Sequence, residues 1–318
     1  MIIIYIFVFI FSCALLFWSG FWLVEALAKI CRFLHWREFV VAFFVMAFAC
    51  SLPNLFVGIN SAINKVPQLS FGDIVGGNVI NLTLVVALAV LFSRGSLPAE
   101  SRMVQSSNLF AVFAAVLPLL LILDGSLSRL DGVFLICAFI VYAVWLFSKE
   151  DRFKKVYEDG PEPIGGFLSF LKDAAKVIFA LAILLAASTG IVKSSIVFSG
   201  VLHIPIALIG ILVVGFGDTL PEMYFSIVSA RKGHNWMILG DLIGSVIYTS
   251  TLVLGIVALI YPIEIVDFSP FFIARAFLVI SSVVFFLSVR TGQKITKKEG
   301  MFLLLVYILF LISEILYK

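Results

Sequence analysis

Charge is scarce in this chain of 318 residues: Asp, Glu, Lys and Arg make up 13% of it, and 62% is hydrophobic. A soluble domain is about a quarter charged and half apolar. Mean hydropathy is +1.17, which excludes a water-soluble surface. Histidine is rarer still. His35 adjoins Trp36, His203 and His234 lie in connecting segments, and none has the spacing of a metal site or of a nucleophile–base pair. The four cysteines, Cys13, Cys31, Cys50 and Cys137, stand in or beside apolar runs without ligand spacing. They read as free thiols buried among helices. No nucleotide-cradling loop or metal triad is present, so a membrane enzyme has no support and no cofactor is expected. A formal net charge of +3 gives no nucleic-acid footprint.

What the chain has in abundance is long apolar runs. A spanning helix needs about 20 mostly apolar residues. Such runs fall near 2–28, 37–63, 71–93, 105–123, 130–148, 167–192, 203–230, 236–261, 270–289 and 299–317. The first run is too long for the hydrophobic stretch of a cleaved signal and has no basic residue ahead of it. The least hydrophobic stretch, residues 149–166, carries mixed charge and then Pro161, Pro163, Gly165 and Gly166, the composition of an exposed linker. The predicted fold is therefore an all-α integral membrane protein of about ten spans: an N-terminal membrane unit 1–148, a cytoplasmic linker 149–166 and a C-terminal membrane unit 167–318. The 33 phenylalanines read as lipid-facing or packing surface.

Cytoplasmic loops are enriched in Lys and Arg. One alternate set of loops, which includes Lys29, Arg94, Lys155, Arg231 and Lys297, holds fifteen such residues, and the opposite set holds five. Both termini are expected on the poorer, non-cytoplasmic side of what reads as a prokaryotic plasma (inner) membrane.

The two units repeat. Ser51-Leu-Pro-Asn54 returns as Thr219-Leu-Pro-Glu222 and Gly72-Asp73 as Gly240-Asp241, each 168 residues later. Phe48 and Phe216, Gly76 and Gly244, and Thr83 and Thr251 match in the same gapless register. Apolar similarity alone does not match Pro, Gly and Asp. With five helices in each unit, the second enters the membrane in the opposite sense, and such inverted repeats are frequent in secondary transporters.

Pro53 and Pro221 lie inside apolar spans, where a missing N–H frees carbonyls of the preceding turn. Asn54 lies about ten residues from the Lys65 end of its span, roughly 15 Å at the helical rise, and Asn81, Glu222 and Thr249 fall at similar depth. An ionised carboxylate there is costly and faces a cavity, a partner or an ion. Asp218, one turn before Glu222, would add a second carboxylate to one cation. Oxygen-only donors suit hard ions such as Ca²⁺ and Na⁺. Plainer readings stand beside these. Ser51, Thr219 and Ser245 also suit close helix packing, Asp73 and Asp241 read as caps near helix starts, and Glu25 and Glu314 read as interfacial.

Cys50-Ser-Leu-Pro-Asn54 and Gly217-Asp-Thr-Leu-Pro-Glu222 resemble the paired G-T-S-L-P-E motifs of the sodium/calcium exchanger family, within the calcium/cation antiporters. Gly72 to Asn81 and Gly240 to Thr249 resemble the G-N/D-x-x-G-S-N-x-x-N/D motifs that follow. The resemblance implies a ten-helix cation antiporter with transported ions at its centre, and a single chain holds that whole site. By position, the ligand set it implies is Cys50, Ser51, Asn54, Gly77 and Asn81 with Asp218, Thr219, Glu222, Ser245 and Thr249. The chain departs from the pattern at Asn54, where the family has an acid, at Gly77 and Cys50, which replace hydroxyls, at Thr249 and at Asp218, a gained acid. The expected activity is exchange of Ca²⁺ for Na⁺. The alternatives are proton-coupled or monovalent cation exchange, and a non-transporting homologue with a degraded site.

Overall fold

A computed structural model describes residues 2–36, 41–148, 167–265 and 267–316. The linker 149–166 lies outside the described residues. Helix α1 is Ile2–Phe33. The second span, α2, has three pieces: π-helical Val41–Met46, then Ala47–Cys50, then Leu52–Ile63. After it come α3 (Pro67–Phe92), α4 (Arg102–Leu121), α5 (Arg129–Ser148), α6 (Phe167–Leu202) and α7 (Ile206–Lys232). Then α8 runs through Asn235–Tyr248, Thr249–Val253 and Leu254–Ile260, followed by α9 (Phe272–Arg290) and α10 (Lys297–Leu316). Among the described residues nine helices are long and apolar enough to span, and ten if the bent α2 counts as one. The predicted spans recur within a few residues. The largest difference is α6, which continues to Leu202.

Helices α3, α7 and α8 are mostly buried, while α1, α5 and α6 present most of their surface outward. The outward faces carry residues such as Phe7, Phe113, Leu130 and Phe134, all more than half exposed, as a lipid-facing surface requires. Glycine sets the inner packing. A Cβ at Gly76 would lie 2.2 Å from the Ile211 carbonyl oxygen, one at Gly72 2.4 Å from that of Ala207, and one at Gly210 2.4 Å from that of Leu69. The backbones of α3 and α7 therefore touch, a contact only small residues permit.

The halves are interlocked. Gly132 of α5 lies against the Gly255 carbonyl of α8, and Gly300 of α10 lies against Val90 of α3. Each unit's fifth helix thus packs on the other unit's third. Two short strand pairs clip the loops: β1 (Leu97–Pro98) with β4 (Lys294–Ile295), and β2 (Ser126–Leu127) with β3 (Ile263–Glu264), both antiparallel. Leu97 faces Ile295 and Leu127 faces Ile263, all buried.

Two expectations need correction. Cys137 is exposed on α5 rather than buried, since its helix face points outward, and Cys13 is half-buried. Asp73 and Asp241 are not caps. Each is the seventh residue of its helix, counted from Pro67 and from Asn235, well past the first turn where free N–H groups lie.

Candidate functional site

Four helices are irregular where the repeated motifs fall. π-Helical turns occupy Val41–Met46 in α2 and Gly210–Val214 in α7, and Asn81–Val85 in α3 and Thr249–Val253 in α8. The last two are 168 residues apart at both ends. A π turn widens the helix and unsettles its hydrogen-bond ladder, and such turns concentrate at functional sites. In α2 the ladder also breaks at Ser51, where the two arms bend by 48°. In α7 it is interrupted at Thr219 without a bend of that size. Pro53 and Pro221 stand in the first turn after each break, where a missing N–H costs nothing.

Around these breaks Ser51, Asn54, Asn81, Asp218, Thr219, Glu222, Ser245, Thr249 and Cys50 are all buried. Asn54 Nδ2 donates to Asp218 Oδ2 at 2.7 Å, joining the two halves. The Ser51 and Ser245 hydroxyls are 2.6 Å apart, and Ser245 Oγ reaches Glu222 Oε1 at 3.4 Å. Thr249 Oγ1 donates to Asn78 Oδ1 at 3.0 Å, and Asn78 Nδ2 donates to Ser250 Oγ at 2.8 Å. Asn78, the first of the two asparagines in Gly72–Asn81, is not among the residues singled out from the sequence.

The pseudo-two-fold relation between the halves organises these contacts. The mirror of the Ser51–Ser245 pair is Thr219–Gly77. There the Thr219 methyl fills the space beside Gly77, 3.4 Å from where a Cβ would be, and its hydroxyl turns back to the Gly215 carbonyl. The mirror of Cys50 is Asp218. Cys50 meets Asp241 of α8, and Asp218 meets Asp73 of α3. Asp218 and Glu222 thus open toward different neighbours, the former toward Asp73 and Asn54 and the latter toward Ser245 and Asp241.

Oxygen capacity is left over. Asn54 Oδ1, Asn81 Oδ1, Asp218 Oδ1, Glu222 Oε2 and all four carboxylate oxygens of Asp73 and Asp241 have no hydrogen-bond partner among the described residues. No Lys, Arg or His is among the described buried residues. Buried carboxylates at this depth without a protein counter-charge call for a cation. A cavity lined by Met46, Pro221, Tyr224 and Met237 extends along α7 from Pro221 to Lys232 and on to His234.

The sodium/calcium exchanger protein profile matches residues 4–148 and 173–316. The chain belongs to the sodium/calcium exchanger family. It is a cation antiporter of the membrane, not an enzyme. It is 25% identical to the sodium/calcium exchanger MaX1 of Methanosarcina acetivorans, over 91% of this chain and 92% of that one. It is 26% identical to the inner membrane protein YrbG of Escherichia coli, over 76% of each. Among solved structures, the exchanger NCX_Mj soaked with Na⁺ and Sr²⁺ superposes with a TM-score of 0.69 at 26% identity, covering 98% of this chain and 99% of that one. The all-helical architecture of nine or ten candidate spans is thus shared with that exchanger.

Proposed function

We propose that this antiporter exchanges Ca²⁺ for Na⁺ by alternating access, with the ions held where α2, α3, α7 and α8 break. The observation that carries the reading is the pair of fully buried α7 carboxylates, Asp218 and Glu222, each with an oxygen left open. Asn54, Asn81, Ser51, Ser245 and Thr249 add neutral oxygens around them. Cys50, Thr219 and Gly77 contribute through the backbone of the broken turns and through the room they leave. Hard oxygen donors without a thiolate or imidazole set favour Ca²⁺ and Na⁺ over thiophilic metals. The names of MaX1 and NCX_Mj, which describe sodium/calcium exchangers, support the same pair of ions.

The cavity ending near Lys232 is the route to one side of the membrane. By the basic-loop count that side is cytoplasmic, the linker 149–166 joins it, and both termini lie outside. The name of the Escherichia coli relative supports an inner membrane. Residues 1–148 and 167–318 act as the two repeats. Their interlocking through α5 and α10 holds the core together, so the element free to move is the α1–α6 pair, which packs chiefly on itself. Radiolabelled Ca²⁺ uptake into proteoliposomes, driven by an imposed Na⁺ gradient, tests the reading. Uptake driven only by a proton gradient would replace Na⁺ with H⁺ as the coupling ion, and no uptake under either gradient would overturn the proposal.

A further inference from the structure

Asp73 has no place in the ligand set expected from the motifs, yet it is buried to 0% exposure in the middle of α3, with both oxygens unpartnered. Its side chain meets Asp218 from α7 and Asn54 from α2. Asp218 uses Oδ2 to accept from Asn54 and leaves Oδ1 open, and Asn54 leaves its own Oδ1 open. The walls are fixed by backbone contact: a Cβ at Gly215 would lie 3.0 Å from the Asp73 carbonyl oxygen and 2.9 Å from the Gly77 nitrogen. Two carboxylates held together on rigid helices repel each other unless a proton or a metal cation sits between them.

We propose that Asp73 and Asp218 form a cation seat of their own, completed by Asn54 Oδ1, in which one Ca²⁺ is held between α3 and α7. Two carboxylates neutralise one divalent cation, and carboxylate and amide oxygens are the donors that Ca²⁺ takes. The mirror position rearranges this chemistry: Cys50 stands opposite Asp241 where Asp218 stands opposite Asp73, and Glu222 stands where the seat has Asn54. Only the Asp73–Asp218 side therefore pairs its two carboxylates with an amide oxygen. The seat rests on the antiporter reading above and assigns its divalent ion to a pair of residues that reading leaves apart.

Equilibrium binding of Ca²⁺ alone to the purified full chain tests the seat in the parent, Asp73→Asn, Asp218→Asn, the double variant and Asp131→Asn, a carboxylate that caps the α5 start outside the site. Each single seat variant is expected to bind Ca²⁺ about thirtyfold or more weakly, as truncation of one partner in a buried charge pair does. The double variant should be no weaker than the worse single by more than about threefold, because both remove one ion contact. Asp131→Asn should match the parent. Folding is read independently from the melting temperature without Ca²⁺, which should not fall in Asp73→Asn because a repulsion is removed, while the upward shift on adding Ca²⁺ should vanish. Parental affinity in Asp73→Asn, or losses that add in the double variant, would overturn the seat while leaving the antiporter reading intact. A parent that neither binds Ca²⁺ nor exchanges it would remove that reading, and the seat with it.

Discussion

Replacing Gly76 with alanine tests the contact that brings the two acidic helices together. Its added Cβ would lie 2.2 Å from the Ile211 carbonyl oxygen and 2.8 Å from the Ile211 carbonyl carbon, where ordinary contact begins at 3.4 Å. The obstacle is backbone, so no side chain can swing aside. Helices α3 and α7 must part by about 1 Å locally or deform, and overpacking of this kind costs about 1–3 kcal/mol. Thermal unfolding of the purified protein should drop by about 2–8 °C. Gly72→Ala, 2.4 Å from the Ala207 carbonyl oxygen, should behave alike, and Gly77→Ala, whose nearest neighbour is the Thr219 methyl at 3.4 Å, should be milder. Gly200 in α6 has nothing within 4 Å, so alanine there should leave stability unchanged or raise it by up to about 1 kcal/mol, the helical preference of Ala over Gly. If Gly76→Ala melts with the parent while Gly200→Ala melts lower, the backbone contact between α3 and α7 is wrong.

Three other outcomes are expected. Ser51→Ala and Ser245→Ala should be non-additive in thermal stability by about 0.5 kcal/mol or more, because their hydroxyls share one bond; strict additivity in the double variant would deny that bond. Moving the acid across the Asn54–Asp218 bond, as Asn54→Asp with Asp218→Asn, keeps an amide–carboxylate pair and should recover part of the uptake lost in Asp218→Asn alone, whereas no recovery would show that the charge must sit on α7. In a background without the native cysteines, a membrane-impermeant thiol reagent should label Ser101→Cys from the cytoplasmic side and Ser126→Cys from the opposite side; labelling of both from one side would reverse the orientation drawn from the basic loops.

Spans were legible because twenty-residue apolar runs have one physical solution in a bilayer, and the repeat was legible because Pro, Gly and Asp recur in register. The helix breaks at Ser51 and Thr219 followed from Pro53 and Pro221. The π turns did not, because an extra residue per turn leaves no mark in a continuous apolar run such as Gly210–Val214. Nor did the strand pairs, since two residues carry no usable alternation. Asp73 was misread for a related reason. Placing the start of α3 at residue 71 instead of Pro67 moved Asp73 from the helix interior to the first turn, and a four-residue boundary shift changed a site carboxylate into an apparent cap.

That shift bears on how the two halves divide the work. If sequence symmetry fixed the chemistry, α2 and α7 would carry equal charge, as would α3 and α8. Asp73 and Asp241 do preserve the balance between α3 and α8, but α7 supplies both Asp218 and Glu222 where α2 supplies Cys50 and Asn54. The uncharged α2 answers by donating: the Asn54 amide holds Asp218, and Ser51 holds Ser245, which reaches Glu222. Each acid of α7 is therefore steadied by α2 and faced by an acid from a different helix, Asp73 of α3 or Asp241 of α8. A cation drawn to either pair is bound across helices rather than along one. Displacing a helix during the transport cycle then changes the separation of the carboxylates themselves, which couples ion affinity to conformation without any further device.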